Sequence, residues 1–188
     1  MSYLPDRTDP ADPSDHAQQA GRVTLREITA DSVLSVLKLQ VQDAQKGLVA
    51  SNAVSLAQAL FAPEAWYRAI DLDNSVAGFV MLEDESLRAA PPPRPQVSVW
   101  RLMVDARFQG QGVGRRALQL VIAQLRARQI FDVLTLSYVP GPGSPEPFYR
   151  LLGFVPTGRL LGQEVELALP LWPDPPPGPV AGQPIDST

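Results

Sequence analysis

The chain has 188 residues, 45% of them hydrophobic, and a formal net charge of −4, enough for one ordinary domain with its own core. It contains no cysteine, which excludes disulfides, thiolate zinc sites and a cysteine nucleophile. The acidic balance argues against a general nucleic-acid binder, and no apolar run approaches the ~18 residues of a membrane span.

Residues 1–21 read as a flexible arm, rich in Asp, Pro and Gln and without the apolar stretch of a secretory signal. The single histidine, His16, falls in it. Neither a Ser/His/Asp triad nor a histidine metal cluster is therefore expected, and acid–base chemistry falls to carboxylates, tyrosine, water or backbone. From 172 to 188 the chain is proline-rich and can form neither helix nor central strand. A single domain over 22–171 is expected between the arms. No metal and no membrane contact are expected, and a cytoplasmic address fits.

Within the domain, residues 23–28 alternate apolar and polar, a strand signal of period two. Residues 29–45 follow as a helix, with Thr29 or Asp31 as cap, Val33, Val36, Leu37, Leu39 and Val41 inward, and Gly47 beyond its end. Ser51 or Asn52 caps a short second helix that runs to Leu60. Residues 66–72 and 76–83 form a hairpin about Asp73-Asn74-Ser75. Residues 85–96 carry Pro91, Pro92, Pro93 and Pro95 and make a loop.

Residues 97–104 are an apolar, β-rich run. They lead into Arg107-Phe108-Gln109-Gly110-Gln111-Gly112-Val113-Gly114-Arg115-Arg116, and an apolar-periodic helix runs from 113 to 128. This is strand, glycine-rich turn, helix. Glycines let the backbone approach a ligand without Cβ obstruction. The helix start offers unpaired N–H groups and the positive end of a dipole. Together they make an anion site, most naturally for the phosphates of a cofactor.

Residues 131–138 are a further strand, parallel to the first because a helix connects them. After the irregular loop 139–145, residues 146–152 form a short helix with Ser144 as cap, Pro145 in its first position and Gly153 closing it. A last hairpin returns over 164–169. The order β-α-α-β-β-β-α-β-α-β-β is an α/β domain with a mixed sheet.

A Rossmann site would place the glycine unit first in the domain, and a Walker A loop needs Gly-Lys-Ser/Thr; neither fits. Gln109-x-x-Gly112-x-Gly114 after a strand, the element order, and Phe148-Tyr149-Arg150-Leu151-Leu152-Gly153-Phe154 together resemble the GNAT superfamily, the Gcn5-related N-acetyltransferases. The resemblance spans roughly residues 23–169. It implies a mostly antiparallel sheet whose central parallel pair splays around the cofactor, with flanking helices. It also implies acetyl transfer from acetyl-CoA, as co-substrate, to a primary amine by direct attack in a ternary complex. The look is nearest to bacterial polyamine and small-amine relatives, so a small-molecule amine (polyamine, amino acid or aminoglycoside-like drug) is the expected acceptor. A protein lysine or N-terminal acetyltransferase, or a non-catalytic acyl-CoA-binding module, are the alternatives. A homodimer follows by family analogy.

On this resemblance the pyrophosphate lies on the backbone of Gln109, Gly110, Gln111, Gly112, Val113, Gly114 and Arg115, with Arg107 or Arg115 adding charge. The pantetheine arm pairs with Leu102, Met103 and Val104 as an added strand, and the acetyl carbonyl is polarised by a backbone N–H near a bulge on this strand. Tyr149 is the general acid for the departing thiolate and touches the cofactor. The family's usual central-strand glutamate is replaced by Trp100-Arg101. Glu83 is then the candidate base, with Asp84 and Glu27 as further carboxylates. The family's asparagine before the tyrosine is Pro142 here, which leaves the loop backbone and Ser144 to meet the cofactor. Acceptor specificity is expected in 42–52, 85–96 and the last hairpin. Trp66 and Tyr67 read as core-packing residues of their strand.

Overall fold

The computed structural model describes residues 21–172. Most of both expected arms, with His16, lies outside the described residues. The elements are β1 (Val23–Arg26), α1 (Ala30–Leu37), α2 (Asn52–Ala59), β2 (Ala65–Leu72), β3 (Ser75–Asp84), β4 (Val97–Val104), α3 (Val113–Arg128), β5 (Val133–Tyr138), α4 (Glu146–Leu151), β6 (Val155–Leu161) and β7 (Glu164–Pro170). Seven strands form one sheet in the order β1-β2-β3-β4-β5-β7-β6. Every neighbouring pair is antiparallel except β4 and β5, which run parallel. This is the α/β class with a mixed, mostly antiparallel sheet expected from the sequence.

Local chemistry accounts for most of the boundaries. The β2–β3 hairpin turns on Asp73 (φ 48°) and Asn74 (φ 68°), two residue types that tolerate the left-handed conformation a tight hairpin demands. Ser51 caps α2, its Oγ accepting from Val54 N–H at 3.3 Å. The first helix is shorter than its periodicity predicts, stopping at Leu37 instead of running to residue 45. The reason is tertiary. Gln40 N–H donates to Asp105 Oδ2 at 3.0 Å, and Ala106 N–H donates to the Gln40 carbonyl at 2.8 Å. Pairing with the turn after β4 thus claims the backbone groups a longer helix would use, and only a single 3₁₀ turn (Asp43–Gln45) follows. At α4 the register differs by one: Pro145 occupies the cap position, and Ser144 Oγ accepts from Glu146 N–H at 3.2 Å. At the far end of the domain, Leu171 N–H donates to Asp132 O at 2.9 Å and Trp172 Nε1–H to Phe131 O at 3.0 Å.

Two apolar layers sandwich the sheet. On one face α3 buries Val113, Ala117, Leu118, Val121 and Leu125 against Val80, Leu82, Val97 and Val99, in a cluster that also holds Tyr149 and Phe154. On the other, α1 and α2 cover Phe79, Met81 and Met103, with Trp100 and Tyr67 half-buried at the margin. Trp66 packs on the first layer and Tyr67 on the second, as alternation along β2 requires.

Candidate active site

The site is created where β4 leaves β5. Their ladder holds only Val97, Val99 and the residue between, paired with Leu134 to Leu136. The β3–β4 ladder continues past that point, but its register jumps: Met81 opposes Arg101, and Leu82 opposes Val99. Trp100 is the extra residue of a bulge. A bulge increases local twist and shifts side-chain alternation by one. Val97 and Val99 before it, and Leu102 and Val104 after it, therefore all pack toward α3, while Met103 packs toward α1. The β5-facing backbone edge of residues 100–104 has no strand partner among the described residues. That edge is the one onto which a peptide-like arm can be added as a strand.

The glycine turn lies at the end of this edge. Gly110 (φ 76°) and Gly112 (φ 74°) are left-handed, and a Cβ on either would meet open space. Gly112 is the cap residue of α3. The first bond of the helix is Arg116 N–H to Gly112 O at 3.1 Å, so the N–H groups of Val113, Gly114 and Arg115 precede it and have no intrahelical acceptor. A methyl on Gly114 would lie 3.4 Å from Val104 Cγ2 and 3.5 Å from Phe148 Cζ. The end of β4, the start of α3 and α4 therefore converge on this glycine.

The turn is braced from behind. Gln109 Nε2 donates to Val104 O at 2.9 Å and to Gln45 Oε1 at 2.8 Å, so its side chain clasps the strand end to the segment after α1. Its backbone remains in the turn. Asp105 is 3% exposed and accepts from Arg107 Nε at 2.7 Å and Arg107 N–H at 3.0 Å. Burial pushes its carboxyl up, but these bonds, the one from Gln40 N–H and the Arg107 charge prevail and hold it below the usual carboxylate value. Arg107 is thereby tied to Asp105, whereas Arg115 is exposed on the first turn of α3.

Tyr149 is buried on α4, its ring 5.1 Å from that of Phe148 and 5.9 Å from that of Phe154. Burial alone raises its phenol to about 12, so the hydroxyl stays protonated at any working pH. The carboxylates separate clearly. Asp84 is fully buried, ion-paired with Arg128 of α3 and bonded by Ser86 N–H at 3.0 Å; it is a structural anchor, not the surface carboxylate its position suggests. Glu27 is exposed and paired with Arg68 at 3.3 Å. Glu83 lies opposite Ser98, before the gap opens. It shares Arg88 with Glu64 and Glu85, the guanidinium–carboxylate distances being 3.5, 3.3 and 2.9 Å respectively.

Three functional candidates escape a linear reading. Arg101, directly after the bulge, faces α2 and donates to Gln58 Oε1 at 3.3 Å. Glu164 of β7 accepts from Ser137 of β5 across the sheet. Phe148 fills the space beside Gly114. The only available signal was Trp100-Arg101 in place of the glutamate. Pairing of Glu164 with Ser137, 27 residues apart, has no local signature. Among the described residues no group of three or more side chains could hold a metal ion, and no helix is long and apolar enough to cross a membrane.

A parallel pair opened by a bulge, with a glycine turn at the mouth, defines the class to which the comparisons then give a family. A model of the acetyltransferase (GNAT) family matches residues 37–154. The chain belongs to that family and is by class an acetyl-CoA-dependent N-acetyltransferase. None of the curated proteins matches the sequence. Among solved structures, an acetyltransferase from Thermus thermophilus is similar at 16% identity and a TM-score of 0.62, over 79% of this chain and 96% of that one. The ribosomal-protein-S18-alanine N-acetyltransferase of Escherichia coli is similar at 16% identity and a TM-score of 0.57, over 80% and 94%. AtaTR bound with AcCoA is similar at 18% identity and a TM-score of 0.59, over 79% and 94%. At these identities the likeness is one of fold.

Proposed function

We propose that this chain moves an acetyl group from acetyl-CoA to the primary amine of a small molecule, by direct attack in a ternary complex. The observation that carries the reading is the three-residue β4–β5 ladder that opens at Trp100 and runs into the Gly110–Gly112 turn. Acetyl-CoA, the ligand named for one structural neighbour, has the parts this arrangement suits. Its pyrophosphate meets the N–H groups of Val113, Gly114 and Arg115 with the helix dipole behind them. Its amide-bearing arm extends along residues 102–104.

In this reading the amine nitrogen attacks the thioester carbonyl carbon. The C–N bond forms, the C–S bond breaks, and the electron pair leaves on sulfur. Tyr149 donates a hydrogen bond to that sulfur, and the thiol proton comes from the phenol or from solvent behind it. The ammonium proton must be lost before attack. For an alkylamine near pKa 10.4 that costs about 4 kcal/mol at neutral pH. Glu83 is the base named by the sequence, acting through water because its carboxylate is held in the Arg88 cluster.

A polypeptide amine is the second reading. It is supported by the acceptor named for one structural neighbour, a ribosomal-protein alanine. Thermal shift with acetyl-CoA tests the donor: no stabilisation at concentrations of millimolar order removes the reading. Release of CoA thiol with a panel of small amines tests the chemistry. Stabilisation without release from any amine or peptide leaves only an acyl-CoA-binding module.

A further inference from the structure

Arg101 directly follows the bulge on β4, and its surroundings are unusual for an arginine. The side chain lies at the margin of the α1/α2 layer, with its guanidinium 5.4 Å from the centre of the Trp100 ring. It donates to Trp100 O at 2.8 Å and to Gln58 Oε1 at 3.3 Å, two of the five donors a guanidinium carries. Its Nε is buried and has no partner. Burial lowers its pKa, and the charge of Glu164 opposes that shift; an arginine nevertheless remains cationic.

Parity along the strands puts further groups on the same face. Leu167 and Val165 of β7 pack with the α3 layer, so Glu164 projects to the other side, where Ser137 donates to it. Arg101 and Ser137 flank the gap from its two sides, one just past the bulge on β4 and the other near the end of β5. The acetyl carbon, in the acetyl-transfer reading, sits in that gap. An acceptor therefore meets a fixed cation with spare donors and a carboxylate held by a hydroxyl, both beside the reacting position.

We propose that the acceptor is an amine carrying its own carboxylate, an α-amino acid or a compound of that class, with the carboxylate on Arg101 and the incoming ammonium directed by Glu164. The inference rests on the acetyl-transfer reading above and narrows it. A guanidinium with free Nη donors matches a carboxylate in two parallel bonds. A polyamine, one of the acceptor classes suggested by resemblance, brings a second cation toward Arg101 and gains nothing from it.

The test compares glycine, alanine and leucine with their amides and with putrescine and spermidine, by CoA-thiol release. The free acids should be acetylated with kcat/KM at least ten-fold above the amides. Arg101→Gln, which retains a donor toward Gln58, should raise the KM of the acids at least 30-fold, leave the amides within two-fold, and leave the KM of acetyl-CoA unchanged. Equal use of acids and amides, preference for a polyamine, or an equal effect of R101Q on acids and amides overturns the inference and leaves acetyl transfer standing. Calorimetry with CoA-loaded protein keeps the test independent of turnover. N-acetylglycine should bind at least ten-fold tighter than N-acetylglycinamide, and equal binding overturns the inference. If no amine is acetylated while N-acetylglycine is still preferred, the transfer reading fails and the carboxylate site stands.

Discussion

Replacing Tyr149 by phenylalanine removes one hydroxyl and leaves the ring, so the contacts with Phe148 and Phe154 at 5.1 and 5.9 Å persist. Stability at neutral pH should move by less than about 1 kcal/mol. The catalytic effect follows from the phenol's environment. Against a thiol of about 8.5, a phenol raised to about 12 lies roughly 3.5 units uphill, about 5 kcal/mol against complete transfer if the thiolate were solvated as in water. Desolvation of the leaving sulfur raises its proton affinity as well, so the difference narrows. Even so, Tyr149 acts mainly by donating a hydrogen bond to developing negative charge. Such a bond to a charged acceptor is worth about 1.5–3 kcal/mol, which corresponds to a fall in kcat of about 10- to 150-fold. The dissociation constant of acetyl-CoA should stay within three-fold. Steady-state CoA-thiol release and calorimetry measure the two quantities. Turnover within two-fold of wild type refutes the assignment; loss of acetyl-CoA binding with retained turnover refutes the geometry behind it.

Other consequences can be checked alongside. Because burial raises the Tyr149 phenol, its contribution to stability is complete below pH about 10 and is lost as pH rises toward about 12, by roughly 2–3 kcal/mol; Y149F should unfold at higher alkaline pH than wild type in a circular-dichroism titration. Gly114→Ala adds a methyl that the fold tolerates, at 3.4 Å from Val104 and 3.5 Å from Phe148, and improves helix propensity, so denaturant unfolding should show stability held within about 1 kcal/mol. Arg128→Met leaves the buried Asp84 carboxylate without its cation, and denaturant unfolding should show a loss of about 3 kcal/mol. Asp105 is held below its usual value, so its stabilisation is present above pH ~4 and lost as pH falls; the stability gap between wild type and Asp105→Asn should close in acid.

Much of this arrangement was legible because it is local. The period of 3.6 after the glycine turn marked α3 from Val113 to about Arg128, as it is found, and Asp73-Asn74 marked the hairpin because those side chains suit left-handed backbone. The glycine spacing after an apolar strand gave the anion turn. What escaped is what depends on distant partners. Nothing in residues 38–45 shows that Asp105 will end the first helix by taking the Gln40 N–H. Nothing near Asp84 shows that Arg128, 44 residues on, will draw it into the core.

The bulge at Trp100 is the most consequential feature that the residues themselves do not mark; only the family resemblance implied one on this strand. Val97-Ser98-Val99-Trp100-Arg101-Leu102-Met103-Val104 reads as one unbroken strand, because a bulge costs no turn residue and leaves β propensity intact. Its effect is nevertheless threefold. It lies where β4 parts from β5, since pairing between them stops at Val99. It resets alternation so that Leu102 and Val104 still reach the α3 layer. And it places Arg101 opposite Met81, on the face shared with α2. Without the extra residue, strict alternation from Val99 would put position 101 toward α3, in an apolar layer with no acceptor for a guanidinium. The same irregularity that opens the strand pair thus decides which charge greets the acceptor, and a change there should alter specificity and cofactor geometry together rather than one at a time.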